Sequence, residues 1–255
     1  MADPSLAPGA LWHKMLPALR RLPRGPLGRN HLLTEDFKLA DEGRLSVYWV
    51  PFEALNVQAR VVICGLTPGY SQMHEGFTAA REAVSAGWAR SKTLAHVYKR
   101  AAFAGAMRTN LVWMLDEIGA AAVLGITSTA ALFDEADELV HATSALRYPV
   151  FVQGKNYRGG NPKVRQSPLL STYVLNTLGP ELAAVPNGLI IPLGKAAGEC
   201  MQMLVETEQV DGARCLFGFP HPSGGNGHRV RQFRENHLRL RNELRKWAKS
   251  YPTRR

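Results

Sequence analysis

Apolar positions along the chain fall into two kinds of run. Short unbroken runs rich in β-branched residues read as strands buried on both faces. They occupy residues 60–67 (RVVICGLT), 188–193 (GLIIPL) and 214–219 (RCLFGF). Residues 139–152 (LVHATSALRYPVFV) read as a further strand, extended by Pro149. Runs with three- and four-residue spacing predict helices over 77–88, 92–104, 110–119, 130–138 and 168–182, and a helix of small residues after Gly194. Asn110 reads as the cap of the helix over 110–119. Residues 153–165 read as a polar, basic loop. The last helix places Val230, Phe233, His237, Leu240, Leu244 and Trp247 in one stripe, with arginines on its other faces. Those arginines are either solvated or in contact with phosphates.

Strands alternating with helices predict an α/β protein, a three-layer αβα arrangement around a central, mostly parallel four-stranded sheet. Ligands of such sheets sit beyond the carboxyl ends of the strands. Two unusual loops leave those ends, GLTPGY at residues 65–70 and FPHPSGGNGHR at residues 219–229, and they are expected to meet.

At 255 residues, 45% of them hydrophobic, the chain can bury one sizeable core. A single domain is expected over residues 30–255, after a partly disordered stretch, 1–29, rich in Pro, Gly and Arg. No apolar run nears the ~18 residues that span a bilayer, and no apolar signal-peptide core opens the chain, so a cytoplasmic monomer is expected. Cys64, Cys200 and Cys215 lie far apart, and no CxxC pair exists. They read as reduced core cysteines, with no zinc site or four-cysteine cluster, and no metal or cofactor is expected. The net charge of +10 suits a polyanionic partner. The tail contributes most of it, with ten Lys or Arg against two Glu from residue 229 onward.

The first loop, Gly65-Leu66-Thr67-Pro68-Gly69-Tyr70, has glycines that let backbone approach a ligand and a proline that fixes a turn. No GK[ST] follows, so it is not a P-loop. In the second loop His221 stands between two prolines, which stiffen its backbone. Ser223 can donate to a phosphate, and Gly224 and Gly225 open the backbone to one. A nucleophilic serine would need an elbow such as G-x-S-x-G, which is missing. A metal would need more ligands than His221 and His228 supply.

Three stretches in order, GLTPGYSQM, GLIIPLGKAA and HPSGGNGHR, resemble motifs of the uracil-DNA glycosylase superfamily. The first is similar to its GMNPG motif and the last to its HPS motif, and the resemblance runs over residues 60–233. It implies a monofunctional, metal-free enzyme that flips a uracil out of single- or double-stranded DNA and hydrolyses its bond to the sugar. By the resemblance, His221 stabilises the departing base, and Gly65, Pro68, Gly69 and Tyr70 hold base and water. Phe77 either stacks on the base or belongs to helix core. Thr67 stands where the family has Asp or Asn, and would position water through its hydroxyl. The family reads uracil with an Asn amide; if LVHA aligns with the relatives' FVHN, that position is Ala142 here. Thr143, Ser144 or Asn156 then remain as readers. Gly224 and Gly225 stand where relatives carry a bulky wedge, a part open to His228 or Arg229. Contacts to DNA are expected from Ser223, Gly224, Asn226, His228 and Arg229, and from Lys155 and Arg158. Two other readings are a nucleic-acid-binding protein without the chemistry and a small-molecule nucleoside or nucleotide hydrolase.

Overall fold

The computed structural model describes residues 10–103 and 105–251. The chain opens with helices α1 (Ala10–Arg21) and α2 (Arg29–Leu32), strands β1 (Lys38–Glu42), β2 (Leu45–Tyr48) and β3 (Val61–Gly65), and helices α3 (Tyr70–Ser85), α4 (Arg90–Ala101), α5 (Ala106–Glu117) and α6 (Ala120–Leu124). Strands β4 (Val140–Ser144), β5 (Val150–Val152) and β6 (Lys155–Asn156) follow, then helices α7 (Pro168–Tyr173) and α8 (Gly179–Ala183), strand β7 (Leu189–Pro192), and helices α9 (Lys195–Glu206) and α10 (Arg229–Ser250). The protein is therefore α/β. Among the described residues, no helix is long and apolar enough to cross a membrane.

The chain divides into two compact units, each built from segments that interleave along the sequence. The first takes the described residues of Met1–Leu55, Thr67–Ala102 and Ser144–Glu181; the second takes those of Asn56–Leu66, Phe103–Thr143 and Leu182–Arg255.

The first unit holds an antiparallel sheet in the order β1-β2-β5-β6. Its core is aromatic. Phe77 lies 4.6 Å from Phe37 and 5.8 Å from Trp49, centroid to centroid, and Trp12 reaches Trp49 at 6.4 Å. Trp12 comes from α1, which buries Leu11, Met15 and Leu19 beside it. The stretch 1–29, expected to be partly disordered, holds a helix from Ala10 to Arg21, because apolar residues on one helical face find a core there. Residues 1–9 lie outside the described residues.

The second unit holds a three-stranded parallel sheet in the order β4-β3-β7. Strands β3 and β7 pair from Val61 with Leu189 to Cys64 with Pro192, and both are buried nearly throughout, as their unbroken apolar runs require. The four-stranded parallel sheet does not form. Residues 214–219 join β7 only through the Ile190–Cys215 bridge and a Leu216 N–H bond to the Ile190 carbonyl at 2.8 Å. Gly218, at φ +78°, then turns the chain away, and its Phe217 neighbour's carbonyl accepts from Arg239 at 2.7 Å. The long strand expected over 139–152 also breaks in two. Strand β4 belongs to the parallel sheet and β5 to the antiparallel one. Between them Arg147 is buried and bonded through Nε to Glu181 at 3.0 Å, and Pro149 has no N–H to offer a ladder.

Candidate active site

His221 belongs to the second unit, in the loop that joins the 214–219 segment to α10. Several carbonyls of this loop, that of His221 among them, are bonded. Gly194 donates to Phe219 at 2.8 Å, Asn226 Nδ2 to His221 at 3.1 Å, Asn110 Nδ2 to Pro222 at 2.8 Å, and Arg229 to Ser223 at 2.8 Å. Asn226 also donates to Gln232 Oε1 at 3.0 Å, which staples the loop to the first turns of α10. Gly194 sits at φ 83°, ψ 173°, a conformation essentially restricted to glycine. A Cβ there would come within 2.9 Å of the His221 Cβ. The imidazole is therefore positioned by backbone fit as well as by hydrogen bonds.

The ring's proton can be placed. The Ser223 backbone N–H points at His221 Nδ1 at 3.2 Å. A backbone amide only donates, so Nδ1 carries the lone pair and the neutral ring carries its proton on Nε2. Burial holds the His221 pKa below its ordinary 6.5. Protonating Nδ1 would also forfeit the Ser223 bond. Nε2–H takes no partner among the described residues. The result is a half-buried, neutral, oriented hydrogen-bond donor.

The first unit holds the rest of the GLTPGY loop. Thr67 Oγ1 donates to the Tyr148 carbonyl at 3.2 Å and accepts from the Val150 N–H at 3.1 Å. A hydroxyl has one proton, so Thr67 has none left for water and keeps a single free lone pair. Pro68 is buried, and Gly69 caps α3 while its N–H is taken by Gln72 Oε1 at 3.1 Å. The Tyr70 N–H donates to Asn156 Oδ1 at 3.0 Å. The same amide lies 3.2 Å from where a Gly69 Cβ would stand. Asn156, exposed on β6, thus completes the N-terminus of α3, and with Oδ1 occupied its Nδ2 is its available donor. One face of the Tyr70 ring is covered by the Arg29 guanidinium, 4.6 Å from the ring centroid.

Against known proteins, the chain is 42% identical over 224 residues to the "Uncharacterized protein YoxB" of Bacillus subtilis (strain 168), an alignment covering 87% of this chain and 88% of that one. The chain belongs to the YoxB family. No protein-family model and no solved structure matches it.

In this YoxB-family chain several expected site residues take other work. Phe77 is wholly buried among Phe37 and Trp49, so it offers no ring face for stacking; its spacing from the loop puts it on the core side of α3. Asn110 is not a helix cap. It lies inside α5 and holds the His221 loop, a long-range role without a local sequence signal. Arg229 and Asn226 are bonded into the loop, Arg229 through one guanidinium nitrogen and Asn226 through its amide. Ser223 is half-buried, and its hydroxyl takes no partner among the described residues. Gly65, Thr143 and Ser144 are half-buried at the carboxyl ends of β3 and β4. Gly224, His228, Lys155 and Arg158 are exposed. Among the described residues, no group of three His, Cys, Asp or Glu side chains is placed to hold a metal. The Cys215 thiol is pushed up to about 12 by burial, which makes it an inert core group.

Proposed function

We propose that this chain is a monofunctional uracil-DNA glycosylase, acting in the cytoplasm without metal or cofactor. The observation that carries the reading is the tautomer of His221. When the bond between the base and the sugar C1′ breaks, its electron pair stays with the base, and negative charge gathers on the ring and its carbonyl oxygen. A neutral imidazole donating from Nε2 meets that oxygen without first having to lose a charge. One pre-organised donor of this kind is worth roughly 3–4 kcal/mol in a dry site. Water supplies the oxygen that bonds to C1′, and its proton leaves to solvent. The similarity of GLTPGY, GLIIPLGKAA and HPSGGNGHR to the superfamily's motifs supports the same reading. So does the excess of positive charge, which suits DNA.

The bonds of Thr67 favour a second reading. With its proton donated to the Tyr148 carbonyl, Thr67 has no proton to offer a water, and as a neutral hydroxyl it is no base; on this reading the chain is a nucleic-acid-binding protein without the chemistry. One experiment separates the two: release of free uracil from labelled single-stranded, U:G and U:A oligonucleotides at saturating enzyme. Release that is lost in His221→Ala supports the glycosylase. Binding without release supports the second reading.

A further inference from the structure

Helix α10 carries a basic face that its own fold does not use. At 3.6 residues per turn, Arg231, Arg234, Leu238, Arg241, Arg245 and Lys249 fall within an arc of roughly 80°, over about 27 Å of helix. All six are exposed, Leu238 to 72%. The acids of the helix, Glu235 and Glu243, lie outside that arc. Glu243 pairs with Arg239, which also bonds the Phe217 carbonyl, and Glu235 comes no nearer than 3.8 Å to Arg231. Arg234, Arg241, Arg245 and Lys249 take no ion pair among the described residues. A row of like charges repels itself, so leaving it uncompensated costs stability unless an anion completes it. The row starts in the first turn of α10, the turn that Asn226 and Gln232 staple to the His221 loop.

We propose that this face of α10 is the rail on which the sugar-phosphate backbone of a nucleic acid lies as it leaves the His221 loop. The identity of the polymer rests on the glycosylase reading; the site itself rests on charge. Arginines roughly 4.5, 10.5 and 6 Å apart along the helix axis present forked donors suited to the phosphates of one backbone. An anionic membrane is the weaker match. A helix that lies in a membrane needs a free apolar face, and α10 spends its own, Phe233, Leu240, Leu244 and Trp247, inside the second unit.

The test is a pair of charge-matched triple variants of the full chain. One is Arg234→Gln/Arg241→Gln/Arg245→Gln. The other, Lys14→Gln/Arg20→Gln/Arg24→Gln, removes three exposed positive charges from the first unit. Binding to an undamaged duplex oligonucleotide is read by anisotropy across salt, with a thermal melt to check folding. The α10 variant is expected to weaken binding 10- to 100-fold at low salt and to flatten the log–log salt slope by up to about 2.7, or ~0.9 for each phosphate no longer neutralised. The control variant should keep the wild-type slope. Equal effects of the two variants, or no effect of either, overturn the proposal. So does loss of binding to phosphatidylserine vesicles with DNA binding intact. The oligonucleotide contains no uracil, so the outcome is independent of excision. A chain that binds through α10 and releases no uracil leaves the rail standing and removes the glycosylase.

Discussion

His221 holds its proton on Nε2 because a backbone amide occupies Nδ1, and burial keeps the ring neutral. Both facts have measurable consequences. His221→Ala is expected to lower the single-turnover excision rate on the order of 10²- to 10³-fold, with DNA affinity little changed, since phosphate contacts carry affinity. Excision at the wild-type rate in that variant would leave the HPS resemblance without chemical meaning. On the proposed mechanism the neutral form is the active one, so the rate should stay level above pH 6.5 and fall only below the lowered pKa. Stability follows the same sign. Well above pH 6.5 neither the folded nor the unfolded chain protonates this ring. As pH drops from there toward the folded pKa, the unfolded chain takes a proton that the folded one refuses, and stability declines. Urea titrations of wild type and His221→Gln across that window check this: the variant should lose that part of the slope. Thr67 answers differently. Thr67→Val leaves the Tyr148 carbonyl and the Val150 N–H unpaired and should cost about 1–2 kcal/mol of stability. Thr67→Asn can still donate and accept, whereas Thr67→Asp can only accept, so a carboxylate at this position should destabilise more than the amide. Equal melting temperatures for the Asn and Asp variants would mean that the Tyr148 bond is unimportant.

Elements show which parts of the fold are local and which are not. Strands β3 and β7 are legible because both faces are buried and the apolar run is unbroken. Helix α10 is legible because Phe233, Leu240, Leu244 and Trp247 keep one face buried over 22 residues. The β1–β2 hairpin escaped notice, although Gly43-Arg44 between Glu42 and Leu45 is a two-residue turn with glycine at positive φ. Strands this short leave little alternation to detect. The 214–219 segment carries strand composition, yet Gly218 and the Arg239 bond turn it off the sheet after a single bridge. Within the candidate site, His221 could be read from its prolines. Thr67's engagement could not, because its partner Tyr148 stands 81 positions away. Asn110 escaped for the same reason, 112 positions from Pro222. These long-range bonds make the support of His221 testable at element level. Gly194→Ala must place a side chain at φ 83°, ψ 173° and against the His221 Cβ. The strain alone is on the order of 1–3 kcal/mol, and the rate should fall with stability. Asn226→Ala removes one loop bond without a clash. It should lower the rate by up to about tenfold while the melting temperature changes little, because the donor drifts from its aim while the core is untouched. A variant with unchanged rate would show the loop stiff without Asn226.

Charge belongs to the whole molecule. A chain at +10 with pI ≈ 9.8 gathers a polyanion from solution and gathers a nucleoside hardly at all. The polymer and small-molecule readings of the His221 site therefore separate by salt. For a glycosylase, the rate at limiting enzyme and dilute oligonucleotide includes capture, and capture releases counterions. That rate should fall steeply between about 50 and 200 mM salt, by a factor on the order of 10³ if six or more phosphates are neutralised. The single-turnover rate at saturating enzyme excludes capture. It depends on a neutral His221 and an uncharged base, so it should hardly move over the same range. Deoxyuridine as free nucleoside offers no phosphates and should not be cleaved at a comparable rate. A small-molecule hydrolase would cleave the nucleoside, and salt would leave both of its rates alone. If the saturating rate falls with salt as steeply as the dilute one, charge is acting in the bond-breaking step, and a neutral His221 is not its main support.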